Sequence, residues 1–138
     1  MLKKLDHIGI AVADLAETIA KYRNITGKEA AEKERIEEQK VSTAFFSIGE
    51  TRLELLQGTQ SDSPIAKFVA RQGEGVHHLC FEVTDLRAEK KKMAQCGLRF
   101  IENIPETGAG GSKVAFIHPK STGGVLIELV EYPDGSDA

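Results

Sequence analysis

Apolar and polar side chains alternate in two short segments, one near the start of the chain and one in its middle. Over residues 7–12 and again over residues 78–83, the residues on one face are apolar and recur at every second position. This is the period of a β-strand with one buried face. The opposite face of each segment begins with a histidine, His7 in the first and His78 in the second. The pattern therefore predicts two strands, each with a histidine on the face away from its apolar residues.

The two segments belong to an internal repeat. Residues 5–15 align with residues 76–86 at a constant offset of 71, and residues 52–56 align with residues 126–130 at an offset of 74. A histidine therefore precedes a glutamate by 47 positions in the first copy and by 50 in the second. Repetition on this scale predicts one supersecondary unit that occurs twice.

Each copy should continue with a helix. Asp14 and Asp85 follow the two strands at positions typical of helix N-caps, and the helices should end near Gly27 and Gly97. The apolar spacing in the second helix predicts a buried side that includes Cys96. The repeated unit is thus expected to begin as a strand followed by a helix.

Three further strands should complete each copy. The clearest of them are predicted at 41–48, 51–56, 99–103, 113–117 and 125–131. Residues 28–40 are rich in Glu, Lys and Ala, which favours a helix by propensity, whereas the repeat favours an edge strand and a loop there. We follow the repeat, because it assigns a strand to the same place in both copies.

Ser63 and Pro64 predict a short helix between the copies, since a cap residue is followed by proline at the first helical position. The predicted fold class is α+β, with two repeated βαβββ modules that form a cupped mixed β-sheet. The 138 residues are expected to make a single domain. Its modules are predicted at about 4–57 and 75–132, with the linker helix at about 63–72.

Composition narrows the class of function. Hydrophobic residues make up 41% and charged residues 28%, which is a globular balance. The formal net charge of −3 argues against nucleic acid as a partner, and no apolar run approaches the ~20 residues of a membrane span. Cys80 and Cys96 do not form a CxxC pair, which favours a reducing compartment and a cytoplasmic location.

Two glutamates occupy apolar surroundings at matched positions of the repeat. Glu54 lies within LELL and Glu128 within VLIELV, where an unpaired carboxylate is costly to bury. Each of these residues alone, like each histidine, is more often structural, so the matched repetition is what favours a shared role. Two imidazoles and two carboxylates suit divalent Co, Ni, Zn or Mn. The predicted ligands of one such ion per chain are His7, Glu54, His78 and Glu128.

Four segments resemble a known superfamily. They read DHIGIAV at 6–12, DSPIAKF at 62–68, GVHHL at 75–79 and HPKSTGGVLIEL at 118–129. The first and third are typical of the vicinal-oxygen-chelate (glyoxalase/bleomycin-resistance) superfamily. The second and fourth are most similar to its methylmalonyl-CoA epimerases. The resemblance extends from about residue 4 to residue 132.

The resemblance implies a metal-dependent epimerase that interconverts (R)- and (S)-methylmalonyl-CoA by removing the proton α to the thioester, through a metal-stabilised enediolate. It implies the same four ligands, with cobalt favoured, and our hypothesis is that Glu128 is one catalytic base. Some bacterial epimerases carry a catalytic Glu near the position of Thr43, which has no carboxylate. We therefore expect Glu54 to act as the second base. The resemblance also implies a homodimer.

An acyl-CoA substrate needs local positive charge for its phosphates, because the chain as a whole is acidic. Lys67, Lys113 and Lys120 are predicted substrate contacts. His118 is a further candidate that could orient the substrate, although a histidine before a proline fits a surface turn equally well.

Other functions stay open at this point. Glyoxalase I would use a similar site, although it usually carries a DPDG-like turn where this chain has HPK at 118–120. Some relatives of the fold are metal-free dimers that sequester antibiotics, which would leave the four ligands unused. Extradiol dioxygenases hold iron with two histidines and one carboxylate, so the additional carboxylate of Glu54 argues against that chemistry.

Overall fold

The computed structural model describes residues 1–104, 106–108 and 111–133. Its contacts divide the chain into two compact units, one of residues His7–His77 and one of residues Met1–Asp6 together with His78–Ala138. Each unit contains one copy of the repeat and combines helices with a mixed β-sheet. The predicted α+β class is confirmed, whereas the assignment of all 138 residues to a single domain stays a prediction.

The unit of residues 7–77 contains four neighbouring strands in the order β2-β3-β4-β1. Strand β1 runs parallel to β4, and the other two pairings are antiparallel. The elements are β1 (Leu2–Ala11, which enters this unit at His7), α1 (Leu15–Thr26), β2 (Ala31–Ile36), β3 (Val41–Ile48), β4 (Thr51–Gly58) and α2 (Pro64–Gln72).

The other unit contains three neighbouring strands in the order β5-β7-β6, with β5 parallel to β7 and β6 antiparallel to it. The elements are β5 (Gly75–Val83), α3 (Leu86–Gln95), β6 (Lys113–Ile117) and β7 (Leu126–Glu131). None of the helices in the described residues combines the length and apolar character needed to cross a bilayer.

Strand register confirms the repeat residue by residue. His7 on β1 is paired with Arg52 on β4, and His78 on β5 is paired with Leu126 on β7. The histidines are separated by 71 positions and their partners by 74, which are the two offsets found in the sequence. The three additional residues of the second copy therefore lie between its paired strands and do not disturb their register.

Each module helix covers one face of its sheet. Ile19 of α1 packs with Phe46 and Leu55 from β3 and β4. Leu86 of α3 packs with Leu129 of β7 and with Val83. Since strand neighbours point to opposite faces, residues that alternate with these positions face away from the helices.

The predicted helix ends are confirmed by their capping bonds. The carboxylate of Asp14 accepts a hydrogen bond from the backbone N–H of Glu17, and Asp85 does the same for Ala88. Gly27 adopts a left-handed conformation (φ 72°) that ends α1, and such a φ favours glycine.

Helix α2 lies where the linker helix was predicted. The buried Ser63 hydroxyl accepts hydrogen bonds from the backbone N–H groups of Ile65 and Ala66, with Pro64 at the first helical position. The side chain of Lys40 donates a hydrogen bond to Asp62 just before the helix, and this contact holds the pKa of the Asp62 carboxyl below its ordinary value. Buried Ile65 anchors the helix in an apolar cluster.

Three local predictions can be compared with the structure. Residues Ala31–Ile36 form β2 as the repeat predicted, despite their helical composition. The predicted strand at 99–103 is wrong, because the segment makes only one bridge, Phe100 with Ile117, before Asn103 turns into the left-handed region (φ 63°). Cys96 is exposed and not buried, because α3 ends at Gln95 and the helical spacing does not continue to it.

Candidate functional site

In the unit of residues 7–77, one histidine and one glutamate lie side by side. Glu54 is two residues beyond the partner of His7 along β4, so both side chains project from the face that α1 does not cover. The Nε2 atom of His7 lies 3.5 Å from Oε1 of Glu54, and the two side chains are only 11% and 13% exposed. The structure therefore brings His7 and Glu54 close together, as predicted.

The other unit repeats this arrangement. Glu128 lies two residues beyond the β7 partner of His78, on the face that α3 does not cover. The Nε2 atom of His78 lies 3.7 Å from Oε1 of Glu128, with exposures of 9% and 16%. Two matched histidine–glutamate pairs thus arise from the same strand register in the two copies.

The donor atoms of each pair fit a metal ion better than a hydrogen bond. Separations of 3.5 and 3.7 Å between nitrogen and oxygen exceed those of ordinary hydrogen bonds. Ligand distances near 2 Å place two ligands of one cation about 3 to 3.5 Å apart, a range that the His7–Glu54 separation meets and the His78–Glu128 separation slightly exceeds. His7 and Glu54 each place a potential ligand atom in a space small enough for an ion. A mixed nitrogen and oxygen donor set matches borderline divalent metals.

Thr43 on β3 carries no carboxylate but does carry a buried hydroxyl. Its register partner is Leu56, two residues after Glu54 on β4, and its side chain shares the face of Glu54. The residue is 1% exposed, and within the described part of the chain its Oγ1 has no hydrogen-bond partner. A threonine hydroxyl is not a base at neutral pH, so Thr43 cannot act as a proton acceptor in this site.

The sequence patterns did not predict a role for two residues beside His7, which are Arg52 and Phe45. The guanidinium carbon of Arg52 lies 4.4 Å from the ring centre of Phe45. The same Phe45 ring meets the His7 ring edge-on at 6.4 Å between centres. The alternation of side chains along β4 could have indicated Arg52, since it lies on the same face as Glu54 and pairs with His7.

The predicted substrate contacts lie at exposed or partly exposed positions. Lys67 on α2 and Lys120 are exposed, and Nζ of the exposed Lys113 lies 4.0 Å from Glu131. His118 caps a short 3-10 turn, because its Nδ1 accepts a hydrogen bond from the backbone N–H of Lys120. His118 therefore takes the predicted place in a turn. Contact of a substrate with Lys67, Lys113, Lys120 or His118 stays a prediction.

Comparison with known proteins identifies the family. Residues 6–116 match the model of the glyoxalase/bleomycin resistance protein/dioxygenase superfamily. The human mitochondrial methylmalonyl-CoA epimerase is 40% identical over 129 residues, which cover 93% of this chain and 73% of the human protein.

Solved structures of similar proteins include complexes with acyl-CoA compounds. A methylmalonyl-CoA epimerase in complex with methylmalonyl-CoA and NH4+ is 38% identical, with a TM-score of 0.87 over the full length of both chains. A variant of the Streptomyces coelicolor methylmalonyl-CoA epimerase in complex with 2-nitronate-propionyl-CoA is 40% identical. Its TM-score is 0.85, over 96% of this chain and 99% of the other. With its repeated strand register and matched histidine–glutamate pairs, the chain belongs to the glyoxalase/bleomycin resistance protein/dioxygenase superfamily.

Proposed function

We propose that this protein is a methylmalonyl-CoA epimerase that interconverts the (R)- and (S)-forms of its acyl-CoA substrate. The observation that carries the proposal is the similarity, along the whole chain, to an epimerase crystallised with methylmalonyl-CoA. The two histidine–glutamate pairs support it, because they offer both metal ligands and carboxylate bases. A base removes the weakly acidic proton next to the thioester, and a bound metal ion would stabilise the negative charge that develops.

We propose that His7, Glu54, His78 and Glu128 bind one divalent metal ion per chain, with cobalt favoured over nickel, zinc and manganese. The low exposure of the four side chains supports this role, since buried carboxylates need a compensating charge. When bound, the ion would polarise oxygens of the substrate and make the α-proton more acidic.

The two glutamates also supply the proton chemistry in this proposal. Inversion at a carbon centre requires one group to remove the proton from one face and another to return a proton to the opposite face. Glu128 is the first of these groups, and Glu54 takes the second role because Thr43 has no carboxylate. General acid–base assistance of this kind contributes about 10²–10⁴-fold to the rate.

Exchange of the α-proton with deuterated solvent tests the proposal. Wild-type protein with added cobalt should incorporate deuterium into methylmalonyl-CoA, as followed by mass spectrometry. At a cobalt concentration high enough to saturate the weakened site, Glu128→Gln should still slow this exchange by about 10²–10⁴-fold. Exchange near the wild-type rate would remove Glu128 from the role of base.

A parallel assay separates the epimerase from glyoxalase I. The same wild-type preparation is supplied with methylglyoxal and glutathione, and formation of the lactoyl thioester is measured. Activity in this assay without exchange of methylmalonyl-CoA would replace the proposed function with that of glyoxalase I. Absence of both activities together with absence of metal binding would favour a non-catalytic binding protein.

We also propose that the protein acts as a homodimer in the cytoplasm. Neither Cys80 nor Cys96 takes part in a disulfide, which is typical of a reducing compartment. Sedimentation of the purified protein at micromolar concentration checks the dimer, and a monomer would contradict it.

A further inference from the structure

The two copies of the repeat differ at the position beside the candidate ligands. Arg52 is the strand partner of His7, whereas Leu126 is the strand partner of His78. The neighbouring positions are matched, since Phe45 pairs with Glu54 as Phe116 pairs with Glu128. One histidine–glutamate pair therefore has a cation beside it, where the other has an alkyl side chain.

The cation is held in place by an aromatic ring. Arg52 projects from the same face of β4 as Glu54, and its side chain is only 17% exposed. Its guanidinium lies over the ring of Phe45, which itself contacts the ring of His7. Stacking uses the flat face of a guanidinium and leaves its N–H groups directed sideways, in the plane where they bind carboxylates and phosphates.

The ion pair between Arg52 and Glu32 is weak. Oε2 of Glu32 lies 3.6 Å from the guanidinium, beyond ordinary hydrogen-bond distance, and the Glu32 side chain is 64% exposed. Ion pairs with an exposed partner contribute little in water. An incoming oxyanion could therefore replace Glu32 without disturbing the stack on Phe45.

We propose that Arg52 binds a negatively charged oxygen group of the acyl-CoA substrate, either its carboxylate or a phosphate of its CoA portion. This inference rests on the proposed function. The positive charge of Arg52 would hold that oxygen group beside the His7–Glu54 pair.

Substitution of Arg52 tests the proposal through the Michaelis constant. Arg52→Gln should raise KM for methylmalonyl-CoA by about 10- to 100-fold, the usual loss for one charge-assisted hydrogen bond. The kcat should change little, because the contact is made equally in the bound substrate and in the transition state. Arg52→Lys should recover part of the affinity, since it keeps the charge but not the planar fork.

A control variant is available in the same unit. Arg23→Gln removes an arginine from α1, where its side chain is 45% exposed on the other side of the sheet, and should leave KM unchanged. The wild-type KM should also rise with ionic strength more steeply than that of Arg52→Gln. A purely structural role of Arg52 would not produce that difference.

Two substrates identify the source of the oxyanion. Methylmalonyl-pantetheine keeps the carboxylate but lacks the phosphates of CoA. If Arg52→Gln raises KM for both substrates, Arg52 binds the carboxylate; if it raises KM for the CoA thioester alone, Arg52 binds a phosphate. An unchanged KM for both substrates, with an active wild type, would overturn the role of Arg52 but leave the proposed function intact. A wild type that neither binds methylmalonyl-CoA nor exchanges its α-proton would overturn both.

Discussion

Cobalt should stabilise the folded protein, and either glutamate of the proposed centre should be needed for that effect. The matched perturbations are Glu54→Gln and Glu128→Gln, which preserve side-chain shape but remove one negative charge from each unit. Both glutamates are largely buried beside a histidine, with exposures of 13% and 16%. Solvent therefore cannot readily replace either carboxylate as a ligand, and each substitution should weaken the same metal site.

The size of the effect follows from mass action and chain length. Free cobalt at 100 times its Kd stabilises the folded state by about 2.7 kcal/mol. For 138 residues the entropy of unfolding near the midpoint is about 0.29 kcal/mol per kelvin, so cobalt should raise Tm by about 9 °C. Loss of a charged ligand should weaken binding about 100-fold or more, since even outer partners of ligands contribute about 10- to 100-fold. In either variant, cobalt at the same concentration should then raise Tm by only about 1 °C.

The assay is thermal unfolding with and without cobalt, combined with calorimetric titration of the metal. Glu82→Gln is a matched control, because this buried glutamate accepts a hydrogen bond from Lys3 and is not among the proposed ligands. It should lower Tm but keep the full cobalt shift. The reasoning is refuted if one of the two ligand variants keeps the full shift, or if titration gives two ions per chain. Either result would mean that the histidine–glutamate pairs do not share one ion.

Two further predictions concern the fold around helix α2. Gly58→Ala should destabilise the protein by about 1–3 kcal/mol, as measured by urea unfolding. The added Cβ would lie 2.8 Å from the backbone nitrogen of Ala66 and from the Ser63 hydroxyl. An unchanged midpoint of urea unfolding would contradict this crowding. Asp62→Asn should reduce stability most at neutral pH. The Lys40 hydrogen bond lowers the Asp62 pKa from its ordinary value, so its contribution is fully present above that ordinary value and is lost as the pH falls through the lowered pKa. A gap between wild type and Asp62→Asn that stays constant from pH 7 to pH 3 would refute the assignment.

Much of the candidate site could be predicted because its signals are local and repeated. Alternation places His7 on the face opposite its apolar neighbours, and the same alternation in the second copy does so for His78. The offsets of 71 and 74 also predict a shared role for each histidine and its glutamate, and the parallel register places the two residues of each pair on neighbouring strands. Helix ends were predictable for a similar reason, since a cap such as Asp14 acts on backbone groups within three residues.

Other features depend on partners that are distant in the sequence. Residues Ala31–Ile36 have a helical composition but form a strand, because pairing with β3 outweighs local propensity. The segment 99–103 has a strand-like sequence, yet it makes a single bridge before Asn103 leaves the extended region.

The sequence by itself determined the duplicated module, the faces of its strands and the matched positions of the two histidines and two glutamates, because periodicity, repetition and capping can be recognised along the chain. Only the tertiary structure decided that Arg52 lies over Phe45 and that Phe45 contacts His7. Those contacts join β4, β3 and β1, which are separated along the chain. Side-chain packing across strands depends on register and rotamer together, and no local pattern specifies both.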